Sequence, residues 1–219
     1  MTRWGICLMA GLMVLAICSV VHGRTWRVER DGSGDYTVIQ QAVNAASSGD
    51  TIQIGPGRYT EITPFTWGDV IVWLDGTKSL TFLGAGTDAT IIGPAVFPDP
   101  SPYNDYGFGC TYGDVTIRVE NLRIENQSWC GLAMFNREVI LLDCVIDYCF
   151  YGASIREPVS NLTIQSCQFI NGPYLGASTA IWCEAPHAEI RDTLIENYLL
   201  GFSGDSTGAT DVLVTGCRF

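Results

Sequence analysis

The chain has 219 residues, of which 47% are hydrophobic, and a formal net charge of −11 at pH 7. This length suits one domain with a sizeable core, and an acidic chain without a basic cluster excludes nucleic acid and anionic membrane surfaces as natural partners. An acidic polysaccharide is not excluded, because a few local arginines or Ca²⁺ can recruit one.

The N-terminal segment has the features of a secretory leader. Arg3 precedes an apolar run from Ile6 to Val21, and small residues follow at Gly23. The run is shorter than the about 20 apolar residues that a membrane span needs, and no later segment approaches that length. We therefore predict a signal peptide over residues 1–23, a secreted domain over residues 24–219, and no membrane span.

A short amphipathic helix is predicted next. Residues 37–40, Thr-Val-Ile-Gln, match a capping box, and residues 47–49 end the pattern. The apolar positions that recur on one helical face are Val38, Ile39, Ala42 and Val43. Such a helix suits the cap at the open end of a solenoid.

The segment GDTIQIGPGRYTE, residues 49–61, follows directly. Its apolar alternation over Thr51–Ile54 is typical of a strand, and the glycines of Gly55-Pro56-Gly57 make a sharp corner before Tyr59 resumes the extended pattern. A strand that turns and continues without a hairpin indicates one coil of a larger structure.

Four later segments repeat one pattern, and a fifth is partial. They read VTIRVENLRIEN (115–126), VILLDCVIDY (139–148), LTIQSCQFIN (162–171), AEIRDTLIEN (188–197) and VLVTGCRF (212–219). Their common position, at Asn121, Asp143, Ser166, Asp192 and Gly216, recurs every 22 to 26 residues. A steady period of this size indicates a solenoid with one coil per repeat.

The repeats predict an all-β fold, a parallel β-helix. Each unit of short strands cannot bury its own apolar side, whereas stacking the units at about 4.8 Å per layer does. Asn126, Asn171 and Asn197 share a second corner position, where asparagine tolerates a left-handed backbone and its amide can bond to the amide of the next coil. A β-sandwich is the alternative, but it would show turn signals every 8 to 12 residues.

The run DGSGDYTVIQQAVNAASSGDTIQIGPGRYTE, residues 31–61, together with the Asn-cornered repeats, resembles the right-handed parallel β-helix proteins of the pectin-lyase-like superfamily. The resemblance covers nearly all of the domain. It implies a right-handed helix and a carbohydrate-active protein acting on an acidic polysaccharide. The superfamily also includes noncatalytic surface proteins, so the resemblance is specific for the fold and not for the activity.

The closest local match is to the pectin methylesterases, in Gly57, Tyr59 and Glu61. The QAVAL and DFIFG segments of that family are not found, and Gln41-Ala42-Val43 belongs to the predicted helix. Esterase activity is therefore not predicted, and the three matching residues are expected to shape the first coil.

Charged pairs recur at the ends of strands in successive repeats. For a lyase or a glycoside hydrolase, the catalytic candidates are Arg137, Glu138, Arg156, Glu157 and Glu184. If stacked in one line, the acids would suit Ca²⁺, with the candidate ligands Glu138, Glu157, Glu184 and Asp205. The alternative is that these pairs only solvate the turns of a solenoid and neutralise each other.

The long insertion from Gly93 to Gly113 is rich in aromatic residues. Loops on a rigid scaffold commonly carry function, and aromatic rings stack on sugar faces. Tyr103, Tyr106, Tyr112 and Trp129 are the candidate substrate-binding residues, and Trp67 and Trp73 are further contributors. The alternative is that these rings cover a flank of the solenoid.

The cysteines after the leader are odd in number, because Cys7 and Cys18 of the nine lie within it. At least one is therefore unpaired within the chain. Cys144, Cys167 and Cys217 share the position that follows the common corner, where they fit as small apolar fillers. Cys110 and Cys130 lie one coil apart and are candidates for a bridge.

The sequence stops at Phe219, in the middle of a repeat, with no C-terminal cap visible. An uncovered coil predicts either further coils beyond this sequence or end-to-end self-association. Two functions remain open: a secreted protein that binds or degrades an acidic polysaccharide, and a noncatalytic surface or adhesion module.

Overall fold

The computed structural model describes residues 23–65, 68–97, 105–173, 178–204 and 211–219. It confirms the all-β fold, because α1 (Ile39–Ala45) is the one helix in these ranges and the other elements are strands. It also confirms the parallel β-helix, because nearly every strand pair there is parallel and links one repeat to the next. The one antiparallel pair among them joins β4 to β5.

The helix α1 spans Ile39–Ala45. The strands in chain order are β1 (Thr25–Val28), β2 (Thr51–Ile54), β3 (Gly57–Tyr59), β4 (Thr63–Phe65), β5 (Gly68–Leu74), β6 (Leu80–Gly84), β7 (Thr90–Ile92), β8 (Asp105–Glu120), β9 (Arg123–Glu125), β10 (Cys130–Leu142), β11 (Val145–Asp147), β12 (Tyr151–Ile155), β13 (Asn161–Gln165), β14 (Gln168–Ile170), β15 (Thr179–Cys183), β16 (His187–Arg191), β17 (Leu194–Glu196), β18 (Leu200–Ser203) and β19 (Asp211–Thr215).

The strands build three faces of a parallel β-helix. The first parts of the long strands β8 and β10 pair with each other and with β5 and β12, and the sheet continues through β15 to β18; we call this face the cleft sheet. Their second parts pair with β6 and β13, and this second face continues through β16 to β19 on one side and through β2 to β1 on the other. The third face is a six-stranded sheet of β3, β7, β9, β11, β14 and β17. A register shift between Met134 and Glu138 marks where β10 passes from one face to the next.

The core lies between the three faces. Alternate residues of each strand point inward, and the predicted apolar columns supply them. Side chains with 0% exposure include Ile52, Ile54, Phe82, Ile92, Ile117, Val119, Ile124, Leu141, Ile146, Ile164 and Phe169. Stacking buries in each coil an apolar side that a single coil would leave in water, which is why the repeats fold only together.

The corners adopt the left-handed backbone that the repeat columns predict. Two residues of each coil have positive φ values between 49° and 61°: Asn121 and Asn126, Asp143 and Tyr148, Ser166 and Asn171, Asp192 and Asn197. The predicted amide contact forms at one step, where Asn197 Nδ2 donates to Asn171 Oδ1 at 3.3 Å, whereas Asn126 Nδ2 donates to the carbonyl of Pro94 at 2.9 Å. The first residue of each pair bends the chain from the second face into the six-stranded sheet, and the second residue bends it from that sheet toward the cleft sheet.

The helix α1 packs Ile39, Ala42 and Val43 against the first coil, as predicted. The capping box is wrong, because the helix begins after Val38 and no side chain caps it. Gln40 is used differently: its Oε1 accepts the backbone N–H of Trp73 at 2.7 Å, and its Nε2 donates to the carbonyl of the same residue at 3.1 Å. The amide thereby ties the helix to β5.

The structure describes all seven cysteines from Cys110 to Cys217 in the reduced form, as free thiols. The predicted Cys110–Cys130 bridge is wrong for a geometric reason. Cys110 lies beside Met134 and Cys130 lies beside Tyr106, four residues apart along the paired strands. At about 3.3 Å per residue this offset is far longer than a disulfide can span.

The last described strand, β19, pairs with β16 and leaves Val212, Leu213 and Val214 between 39% and 45% exposed. Coverage of this edge by further coils or by a second copy stays a prediction. Residues 1–22 of the predicted leader lie outside the described residues. Among the described residues no helix has the length and apolarity to cross a membrane.

Candidate functional site

The outer surface of the cleft sheet carries a column of small residues. Gly109, Ala133 and Ser154 are register partners on β8, β10 and β12. In the same row Trp73 precedes Gly109, and Trp182 follows Ser154. Five neighbouring strands thus present a low floor between two tryptophans, whose Cα atoms are four interstrand steps apart, about 19 Å.

Aromatic side chains wall this floor and create a cleft of about 200 Å³. We call it the aromatic cleft; its walls include Trp73, Tyr106, Trp129 and Phe135. Trp129 stacks on Phe150 with ring centroids 5.6 Å apart and an angle of 12° between the planes. This stacking fixes the orientation of the indole, and the atoms of Trp129 that do not contact Phe150 line the cleft.

Gly109 is needed where the floor meets Trp73. A Cβ at this position would lie 3.2 Å from Cε3 of that indole and 3.4 Å from Val70 Cγ2. The absent side chain therefore lets the ring lie close to the sheet. A cleft with aromatic walls and a floor of small residues can admit a flat ring.

Arg156 follows the last residue of β12 and lines the aromatic cleft. Its Nε donates to Ser154 Oγ at 3.3 Å, and its guanidinium carbon lies 5.9 Å from the ring centroid of Trp182. Among the ion pairs of the described ranges none includes Arg156. The cleft therefore contains a cation whose charge no described carboxylate neutralises.

The neighbouring carboxylate is engaged elsewhere. Glu184 Oε1 accepts the indole N–H of Trp182 at 2.9 Å, and Oε2 accepts the backbone N–H of Glu157 at 3.3 Å. These bonds orient Glu184 toward the turn. Glu184 is therefore not an ion-pair partner of Arg156, which has none among the described residues.

A second cleft of about 210 Å³ adjoins the first, and Tyr106 lines both. It contains Asp69 and Asp105, which are register partners on β5 and β8. Ser128 Oγ donates to Asp105 Oδ2 at 2.9 Å, but burial raises the pKa of this carboxyl, and the charge of Asp69 adds to the shift. The second cleft thus holds a carboxyl group whose charged form is disfavoured by burial and by a neighbouring carboxylate.

The predicted line of charged residues does not form as one row. Glu138 is in register with Asn161 on the second face and accepts a bond from Thr116 Oγ1 at 2.8 Å. Arg137 is exposed and pairs with Asp114 at 3.3 Å. The register shift in β10 separates both from Arg156, Glu157 and Glu184, which follow β12 and β15 on the cleft sheet.

The predicted aromatic residues are partly brought together. Tyr106 and Trp129 line the aromatic cleft, and Tyr112 lies at its edge, 65% exposed, with its ring 5.4 Å from Phe135. Tyr103 and Asp205 lie outside the described residues. Within the described part of the chain no three His, Cys, Asp or Glu side chains form a group that could hold a metal ion.

The residues that resemble the pectin methylesterases lie at the first coil. Tyr59 is fully buried, and its hydroxyl donates to the carbonyls of Val28 at 3.2 Å and Gly55 at 3.1 Å. Glu61 pairs with Arg30. Both sets of contacts hold the corner, as the sequence predicts.

Sequence reasoning did not identify Phe135, Asp69 or the small floor residues. A signal for the floor was available in the repeats. Ala133 and Ser154 each stand two residues after a glycine near the start of the strand, with an apolar residue between. Small residues at the same outward position in adjacent coils indicate a groove.

Comparison with known proteins gives one informative similarity. No protein-family model matches the chain. The chain is similar to Pectinesterase 31 of Arabidopsis thaliana, with 22% identity over 218 residues that cover 89% of this chain and 56% of the relative. The chain thus spans about half the length of the curated relative it matches. The similarity agrees with a β-helix fold.

Proposed function

We propose that this protein is a secreted carbohydrate-active protein whose aromatic cleft binds an acidic polysaccharide of the pectin class. The observation that carries the proposal is Arg156, a guanidinium without an ion pair among the described residues in a cleft walled by indole and phenyl rings. The name of the relative, a pectinesterase, supports the substrate class. The predicted leader supports secretion.

The aromatic walls and the guanidinium of Arg156 would bind different parts of the sugar. Sugar rings have apolar faces that lie flat against indole and phenyl rings, and the small floor leaves room for them. A guanidinium presents a planar fork of N–H donors that matches the two oxygens of a carboxylate. Inside a cleft with apolar walls this pairing gains more than it does in open water.

The test is binding of polygalacturonate, measured by calorimetry and compared with a fully methyl-esterified pectin and a neutral galactan. We expect polygalacturonate to bind best, since only its carboxylates are ionised. Arg156→Gln should reduce this affinity about tenfold or more, as the loss of a charge-assisted bond predicts. Arg123→Gln removes the same charge from the six-stranded sheet and should leave binding unchanged.

Equal binding of the neutral polymer, or equal loss in the two variants, would refute the proposal. Product formation separates the remaining alternatives. New unsaturated ends together with new reducing ends indicate a lyase, new reducing ends without unsaturation indicate a hydrolase, and binding without either product indicates a noncatalytic module. The chain does not contain the QAVAL and DFIFG segments, so ester hydrolysis is not proposed.

Glycoside hydrolysis is the second candidate, and the aspartate pair of the second cleft favours it. Asp105, whose pKa is raised by burial, would donate a proton to the leaving oxygen, and Asp69, its register partner, would be the second carboxyl group. Asp105→Asn should abolish the release of reducing ends while polygalacturonate binding persists. Release that continues in this variant would eliminate the pair as the catalytic acids.

A further inference from the structure

Two cysteines occupy the same position in consecutive coils. Leu142 pairs with Gln165 before the corner and Val145 pairs with Gln168 after it, so Cys144 and Cys167 are equivalent residues of neighbouring layers. Both are 1% exposed. The register therefore stacks two thiols directly on one another inside the helix.

The two thiols have the same surroundings. Cys144 Sγ lies 3.5 Å from the carbonyl oxygen of Val119, and Cys167 Sγ lies 3.6 Å from that of Leu141, the register partner of Val119. Each also approaches the carbonyl two residues earlier in its own coil. Equal contacts in adjacent layers mean that both Sγ atoms point into the interior at the same depth.

The layer spacing is compatible with a covalent bond. Neighbouring strands are about 4.8 Å apart, and a disulfide requires a Cα separation of about 4.4 to 6.8 Å. The next coil has Thr193 in this column, and Cys217 follows one layer later. Cys217 is thus two layers from Cys167, about 9.6 Å, which is beyond the reach of a disulfide.

We propose that Cys144 and Cys167 form a disulfide that joins two consecutive coils when the chain folds in the presence of a small-molecule disulfide such as oxidised glutathione. The bond would close a loop of one complete coil. This inference rests on the register alone and does not depend on the proposed carbohydrate function.

The reaction balances as two thiol–disulfide exchanges. One protein thiolate attacks a sulfur of oxidised glutathione, forming a mixed disulfide and releasing one glutathione thiolate. The second protein thiolate then attacks the protein sulfur of the mixed disulfide and releases the other. The protein loses two protons and two electrons, and oxidised glutathione becomes two molecules of reduced glutathione.

The timing follows from burial. In the folded coil, the hydrogen bond to Cys167 and the surrounding apolar side chains raise the pKa of Cys144. The thiolate needed for exchange is therefore scarce once the coils have stacked, whereas an unfolded cysteine has a pKa of about 8.5. We expect the bond to form while the chain folds and then to be protected from reductants.

The experiment is refolding of the full chain in a buffer of reduced and oxidised glutathione, followed by denaturation in an alkylating reagent. Mass spectrometry should show two cysteines that are not alkylated and one cross-linked peptide pair containing residues 144 and 167. Cys144→Thr places in this layer the residue type that the column already has at Thr193, and it should lose the cross-link. Cys149→Ala, another buried cysteine outside the column, should retain it.

Thermal unfolding gives an independent measurement. A strong reductant added during refolding should lower the Tm of the natural sequence by about 5 to 10 °C and leave that of Cys144→Thr unchanged. Alkylation of both cysteines after oxidative refolding would overturn the inference. A cross-link between any other pair, with Cys144 and Cys167 both alkylated, would also overturn it.

Discussion

The six-stranded sheet and the aromatic cleft use arginine in opposite ways. On the sheet, Arg58 pairs with Glu125 at 2.7 Å, and Arg123 pairs with Asp147 at 2.8 Å. In the cleft, Arg156 has aromatic neighbours and no ion pair among the described residues. The difference teaches that the arrangement of charge, and not its amount, separates a surface that stabilises the coil from one that can bind a charged ligand.

Filling the cleft should have the largest effect, and it should act on the binding of polygalacturonate. Ala133→Trp places an indole on the floor between Trp73 and Arg156, and we expect binding of polygalacturonate to become undetectable. Gln165→Trp adds the same side chain to an exposed position of the second face and should leave affinity unchanged. Calorimetry on both variants checks this, and retained binding in Ala133→Trp would move the site away from the aromatic cleft.

A corner residue of the six-stranded sheet should affect stability alone. Asn171 has φ 56°, and its Nδ2 donates to Asp147 Oδ1 at 3.1 Å. Asn171→Val puts a β-branched residue in the left-handed region and should lower the free energy of unfolding by about 1 to 3 kcal/mol. Asn171→Gly loses the same hydrogen bond without the strain. A similar loss in both variants, measured by urea denaturation, would show that strain is not the cause.

Removing the central cation of the six-stranded sheet should have a smaller effect. Arg123 is 19% exposed and contacts Asp147 and Glu125. Arg123→Gln should lower the free energy of unfolding by about 1 kcal/mol, because partly exposed pairs contribute little and the remaining acids repel each other. A fall in polygalacturonate affinity that matches the fall in Arg156→Gln would contradict the comparison.

The smallest effect on stability is expected at Asp105. Its raised pKa means that the folded protein disfavours the charged carboxylate, so the stability of the natural sequence falls as pH rises through the interval above the ordinary value of 3.8. Asp105→Asn should therefore be slightly more stable at pH 7, and the gain should vanish below about pH 3.8. Thermal unfolding across this range checks the sign, and a gain that persists at low pH would assign it to another cause.

The repeats are sufficient to predict the coils, because column identity at a steady period directly reflects stacking. The corner residues Asn126, Asn171 and Asn197 all have the left-handed backbone that the repeats predict for them. The predicted line of acids failed for a local reason. The shift within β10 changes the face on which Glu138 lies, and no residue type in the sequence marks that shift.

The sequence by itself determined the class of fold and the ladder positions of its corners, since hydrophobic periodicity and turn chemistry act locally and recur in every coil. Only the tertiary structure decided which side chains meet. Trp73, Ser154 and Arg156 come from different coils, and their juxtaposition depends on the register of parallel strands. The stack of Cys144 on Cys167 has the same origin. A shift of one residue would have turned each side chain to the opposite surface of the sheet.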